Sequence, residues 1–177
     1  MTQALTRAHV ENFRQARLTR DPRLIEPFID DNVDWLVTGP VELLHFCGQR
    51  RGKAEVLDCI TRLEPSALNV LKAELTALLV DRDRAASFGR MVAVQPATGR
   101  TISYHQAQFM RFRDNKIVEY RGIIDSFDAA EQMMGHPIAL SDTPRFLDSG
   151  ERSGLSSDHH DPGSHSRSCR EFSAKPA

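Results

Sequence analysis

The sequence predicts an α+β domain of about four helices and a mostly antiparallel sheet. Two observations carry that class: the first third of the chain places apolar residues at helical spacing, and from residue 70 to 124 the pattern breaks into four strand-like runs between short polar turns. A third observation bounds the domain. Beyond Pro137 the chain turns to Ser, Gly, Asp, Arg and His with scattered apolar residues.

Val10, Phe13 and Leu18, with Ala16 between them, sit among Arg and Glu and mark a first amphipathic helix over residues 9–18. Asp21-Pro22 supplies an N-cap and a proline at the first helical position, opening a short second helix through Leu24, Ile25 and Phe28. Asp30-Asp31-Asn32 is expected to stop it. Val33 to Val37 is β-branched and aromatic and reads as a strand ended by Gly39-Pro40. After a loop with His45, Phe46 and Cys47, a third helix starts at Gly52, carries Val56, Leu57, Ile60 and Leu63, and is expected to end before Pro65. The runs 70–80, 85–94, 101–113 and 117–124 then predict an antiparallel meander. The first of these also fits a helix; its β-strand reading is preferred. A last helix over residues 127–134 closes the domain at Gly135.

Residues 1–137 thus form the domain, and 138–177 a disordered Ser/His/Asp-rich tail that buries too little apolar surface to offset its ordering entropy. With 177 residues, 40% of them apolar, one domain is expected, and 23 Lys and Arg against 24 Asp and Glu argue against a nucleic-acid partner. No run is long and apolar enough for a signal peptide or a membrane span, which predicts a cytoplasmic protein with no membrane partner. Cys47, Cys59 and Cys169 have neither disulfide nor zinc spacing. His159, His160, Asp161 and His165 are read as polar tail rather than a metal site. No metal-ligand spacing and no nicotinamide, flavin or nucleotide fingerprint occurs in the domain, so the expectation is no cofactor.

The order of elements, Val33-Asp34-Trp35 leading to Gly39-Pro40, Phe46-Cys47-Gly48, Arg51-Gly52 opening a helix, and Asp114-Asn115-Lys116-Ile117 with Asp125 downstream resemble the nuclear transport factor 2-like superfamily, in particular its SnoaL-like members, over residues 5–135. That family includes ketosteroid isomerase, limonene epoxide hydrolase and polyketide cyclases. The resemblance implies a cone-shaped fold whose strongly bent sheet holds a small apolar molecule on its concave face and often pairs subunits, as a homodimer, on its outer face. Two positions depart from the family pattern: Asn115 stands where a turn glycine is usual, and His45 where a proline is common.

With Asp114-Asn115 as a two-residue turn, Phe112 is expected opposite Ile117, Gln108 opposite Arg121, Gln106 opposite Ile123 and Tyr104 opposite Asp125. Tyr104, Gln106, Gln108, Glu119, Arg121, Ile123 and Asp125 then share one face, a polar and apolar mixture that suits a ligand wall. Ala107, Phe109, Val118, Tyr120 and Ile124 fall on the other, apolar face. A register slip of one residue would exchange the faces.

Asp125 has two readings: a desolvated proton acceptor, as the family's acid/base aspartates are, or a cap on the last helix. Tyr104 would donate to an enolate oxygen, Arg121 and His45 would stabilise charge, and Glu119 either pairs with Arg121 or orients substrate. Glu119, Arg121 and Asp125 only approximate the carboxylate-Arg-carboxylate set of epoxide hydrolysis. Asp34 is either a pocket acid or an exposed strand-end residue, while Trp35 and Phe46 supply apolar wall. The expected function is acid/base chemistry, such as isomerisation, cyclisation or hydration, on an apolar carbonyl compound, with the catalytic set Asp125, Tyr104, Arg121 and His45. The alternatives are a non-catalytic ligand-binding or dimerisation module of the same fold, and a partner-binding role for the tail.

Overall fold

A computed structural model describes residues 4–139 of the protein. Helix α1 (Arg7–Thr19) begins where the Thr6 hydroxyl accepts from the His9 amide at 3.2 Å. Val10, Phe13 and Ala16 form its buried stripe, and Arg20 ends it in the left-handed conformation. Asp21 caps α2 (Pro22–Ile25), accepting from the Arg23 amide at 2.9 Å with Pro22 in the first turn. A tight turn over Glu26–Phe28 then delivers the chain to the sheet.

Strand β1 (Ile29–Thr38) starts earlier than the sequence suggests. The Asp30-Asp31-Asn32 segment does not precede the strand but buckles out of it. Pairing with the last strand jumps from Ile29↔Ile117 to Asp34↔Glu119, and an Asp30 carboxylate oxygen accepts from the Asn32 amide at 3.0 Å within the irregularity. Beside β1 lies β2 (Gly48–Arg51), a short strand with no apolar alternation to betray it.

Helix α3 (Lys53–Asp58) does not stop before Pro65 as expected. It widens into a π-helical turn over Cys59–Leu63, in which the Glu64 amide reaches back to the Cys59 carbonyl, and continues as α4 (Glu64–Ala67). Proline is tolerated because it stands in the first turn of the segment that follows.

The meander has the expected composition: β3 (Asn69–Asp81), β4 (Arg84–Val94), β5 (Thr101–Arg113) and β6 (Lys116–Ile124), then α5 (Ser126–Met134), which Gly135 ends at φ 76°. The six strands form a curled but open sheet in the order β2-β1-β6-β5-β4-β3, antiparallel except for the β1/β6 pair. Gly89 belongs to that curl. β3 bulges between Leu75 and Ala77, and a Cβ at Gly89 would lie on the Glu74 carbonyl oxygen.

The β5–β6 register corrects the sequence reading. Asp114 and Asn115 both have positive φ, as the two-residue turn requires, and Phe112 does face Ile117. The next pair is Arg111↔Glu119, so Val118 is an extra residue on β6 and every later side chain changes face. Tyr120, Gly122 and Ile124 turn inward opposite Met110, Gln108 and Gln106, while Glu119, Arg121 and Ile123 turn outward.

The core lies between the concave face and α1 and α3. At its centre Trp35 stacks on Tyr120, its register partner, with ring centroids 3.5 Å apart and planes 3° from parallel. The tail expected over 138–177 lies, from residue 140 onward, outside the described residues, as does its histidine cluster.

Candidate functional site

Arg17 occupies an unusual place on α1. It lies seven residues after Val10 and four after Phe13, so a guanidinium continues the buried stripe of the helix. There one of its nitrogens forms an ion pair with Glu64, both side chains less than one-fifth exposed, and another donates to the Tyr120 hydroxyl at 2.7 Å. The guanidinium also sits 5.6 Å from the ring centroids of both Trp35 and Tyr120. Burial disfavours its charge, and Glu64 outweighs that, holding the group above its ordinary pKa. Glu64 reaches this position because the π-helical turn precedes it.

This cluster stands where a cavity of about 380 Å³ narrows to a recess of about 30 Å³, and Arg17, Glu64, Val70, Met91 and Gln106 line both. The larger chamber adds Phe13, Arg14 and Gln108; the recess adds Phe46, Tyr104 and Ile124. The volume falls in the range of small-molecule sites. Burial pushes the Tyr104 phenol up and Tyr120 likewise, so both remain neutral O–H groups at physiological pH. The Tyr120 oxygen accepts from Arg17, which leaves its own proton to donate. Among the described residues no hydrogen bond engages the Tyr104 hydroxyl or the Gln106 amide. The site therefore combines a carboxylate, a phenol hydrogen-bonded to a cation, and unspent hydrogen-bonding groups, with Phe13, Val70 and Met91 as apolar wall.

A second polar cluster lies on the outer face. Arg121 joins the Asp34 carboxylate at 2.7 Å and Glu119 at 3.1 Å, and Arg111 joins Glu119 at 3.0 Å. The hydrogen bond from Arg121 holds Asp34 below the usual carboxylate range. A carboxylate-Arg-carboxylate arrangement thus exists, with Asp34 rather than Asp125 as its second acid, on the side of the sheet away from the cavity. Next to it is an apolar hollow of about 290 Å³ formed by Leu79, Phe88, Phe109 and Ile123, all partly exposed.

Residues 10–120 match the family model of the SnoaL-like domain. The chain belongs to the SnoaL-like family. Among solved structures, this SnoaL-like domain is similar to a candidate isomerase from Rhodopseudomonas palustris, at 29% identity over 75% of this chain and 100% of that one with a TM-score of 0.69. It is also similar to an NTF2-like protein from Burkholderia thailandensis (21% identity, 71% of this chain and 95% of that, TM-score 0.62) and to an LEH-like epoxide hydrolase from M. tuberculosis (12%, 72% and 88%, 0.58). The last two likenesses show the fold. No curated protein matches the chain by sequence.

Of the residues singled out in the sequence, the SnoaL-like cone brings Tyr104, Gln106, Gln108 and Phe46 to the cavity, and Trp35 packs against Tyr120 without lining it. Arg121, Glu119 and Ile123 are on the outer face because of the Val118 bulge. The same offset removes Asp125 from Tyr104: its amide bonds to the His105 carbonyl at 2.9 Å, and its exposed side chain neither lines the cavity nor makes a cap hydrogen bond to α5. His45 is exposed in its turn, its Nδ1 2.9 Å from the Val41 carbonyl. The residues missed were Arg17, Glu64 and Tyr120. Arg17 carried a readable signal, an arginine in phase with Val10 and Phe13; Glu64 and Tyr120 depended on a π-helical turn and a bulge. Among the described residues no group of three or more His, Cys, Asp or Glu side chains is placed to hold a metal, and no helix is long and apolar enough to cross a membrane.

Proposed function

We propose that this SnoaL-like domain performs acid/base chemistry on an apolar carbonyl compound bound in the cone. The Arg17–Glu64–Tyr120 cluster at the neck of the cavity supports this reading more than any other feature. Glu64 takes a proton from the carbon next to the carbonyl, and the electron pair of that C–H bond moves to the carbonyl oxygen as an enolate. Tyr120 donates its free O–H to that oxygen, strengthened as a donor by Arg17 on its other side. Glu64 then returns the proton, to the same carbon or to a conjugated one, which completes an isomerisation. Tyr104 is the second donor and Gln106 orients the substrate. The similarity to a candidate isomerase from Rhodopseudomonas palustris is consistent with this chemistry.

The test needs no knowledge of the natural substrate. Deuterium incorporation next to the carbonyl of 2-tetralone, followed by NMR in heavy water, reports enolisation directly. The wild-type protein accelerates exchange over buffer, Glu64→Gln loses at least about 10²-fold of that acceleration, and Tyr120→Phe loses on the order of 10²-fold. Exchange that Glu64→Gln leaves unchanged would remove this mechanism.

We further propose that the outer face pairs two copies of the chain, through Leu79, Phe88, Phe109 and Ile123. The buried, unpaired thiols of Cys47 and Cys59 suit a reducing, cytoplasmic setting.

A further inference from the structure

The larger chamber carries more positive charge than its single carboxylate balances. Arg14, Arg17 and Arg20 follow one another at three-residue intervals along and just beyond α1 and reach the same cavity, and Lys72 of β3 joins them, against Glu64 alone. These cations are not equivalent. Arg17 is neutralised by Glu64, Lys72 pairs with Glu74, and Arg20 donates to the Leu68 carbonyl at 3.0 Å and to the Asn69 side chain at 3.4 Å. Arg14 is left. It is half-buried and, among the described residues, makes no hydrogen bond or ion pair; Glu11, three residues back, is held by Arg7 at 2.9 Å. Burial, with Arg17 close by, pulls its pKa below the ordinary arginine value, the mark of a charge short of a partner.

Leu18 and Leu71, which line the same chamber, are 43% and 64% exposed, whereas Tyr104 and Tyr120, which line the adjoining recess, are buried. The chamber therefore opens beside Leu18 and Leu71 and closes toward the recess. A molecule in it meets solvent at one end and the Arg17–Glu64–Tyr120 cluster at the other.

We infer that the ligand of this cavity is an amphipathic monoanion whose carboxylate-class head group pairs with Arg14, while its apolar body runs along Phe13, Val70 and Met91 toward Glu64 and Tyr120. A guanidinium presents a planar fork of donors that matches a carboxylate edge on, so the head group gains both charge and direction. Arg20 and Lys72 add positive potential without being freed from their own partners. The inference rests on the reading above that the cavity binds the substrate, and names its class: a carbonyl compound that also carries a carboxylate.

Two probes with one ring system separate the contributions: 2-naphthoate and the neutral 2-naphthalenemethanol, titrated calorimetrically into the full chain at low salt. Naphthoate is expected to bind about tenfold tighter or more, as a charge-assisted bond to a partly desolvated guanidinium implies. Added salt weakens naphthoate and leaves the alcohol unchanged. Arg14→Gln brings the two probes to near-equal affinity, and Arg14→Lys keeps part of the preference. Among the described residues Arg14 makes no hydrogen bond or ion pair that its loss would break, and a melting curve verifies that Arg14→Gln is folded; the wild-type probe comparison and its salt dependence decide without any variant. Equal binding of both probes by the wild-type chain, or an undiminished preference in Arg14→Gln, overturns the anion inference and leaves the pocket standing. Binding of neither probe at millimolar concentration overturns both.

Discussion

Arg17 is the residue on which stability and the proposed chemistry meet. Its charge is mostly withdrawn from water and is held there by Glu64, Tyr120 and two aromatic faces. Removing one member of such a pair costs more than the pair itself contributes, because the remaining charge keeps its desolvation penalty and loses its compensation. Arg17→Met is therefore expected to destabilise the fold by about 3 kcal/mol in urea unfolding, leaving Glu64 without a counter-charge. Arg17→Met with Glu64→Leu is expected to recover most of that loss while abolishing activity, since apolar groups can replace both members. A double variant as unstable as the single one would show that Arg17 acts through packing against Trp35 and Tyr120, not through its charge. Tyr120 has a related dual role: its ring is stacked on Trp35 while its hydroxyl faces Arg17, so Tyr120→Phe keeps the packing and removes only the hydrogen bond.

At the level of elements, the sheet holds its curl at irregular positions, and Gly89 is the most exacting of them. The β3 bulge brings the Glu74 carbonyl to the place a side chain would occupy, and backbone there cannot yield as the end of a flexible side chain can. Gly89→Ala is expected to cost about 1–3 kcal/mol by chemical denaturation, as overpacking does; a change within about 0.5 kcal/mol, usual for an unconstrained surface site, would mean that the bulge relocates freely. Irregularities also set what could be read from the sequence. Element type followed from periodicity and turn residues, so α1, the Asp21-Pro22 start, the four meander strands and α5 were legible. Facing was legible only up to the first extra residue. Ile117 and Val118 are consecutive apolar residues, both buried, ahead of the alternation Glu119-Tyr120-Arg121-Gly122. That doubling is the trace of a bulge, and counting in twos from the turn passes over it. The π-helical turn left no comparable trace, because its register depends on how α3 packs and not on any one residue. Of the seven residues expected on the ligand wall, Tyr104, Gln106 and Gln108 line the cavity, since β5 runs without a bulge from Tyr104 to Gln108 along its pairing with β4; the carboxylate that lines the cavity is Glu64 and not Asp125.

For the whole molecule, the outer face of the sheet combines two features that make sense together in an assembly. Leu79, Phe88, Phe109 and Ile123 expose apolar area around a hollow, and Arg121 at its border is fixed by Asp34 and Glu119. Contiguous exposed apolar surface of this kind marks a contact site, and a border of paired charges limits the approach to complementary geometry. In a two-fold dimer each residue of the patch appears twice, so one substitution places two copies of the new side chain in the interface. Phe88→Asp would bury two carboxylates with no cation added, a penalty far beyond what the apolar contacts it replaces can offset. Sedimentation equilibrium is expected to give about twice the chain mass for the wild-type protein and the single-chain mass for Phe88→Asp. Leu24→Asp, an equally exposed apolar site on α2, serves as the control and is expected to leave the dimer intact. Because the cavity opens on the opposite face of the sheet, monomeric Phe88→Asp should still bind 2-naphthoate with the wild-type preference. A wild-type chain that sediments as a monomer at every concentration would dismiss the dimer and leave the hollow as a site for some other partner.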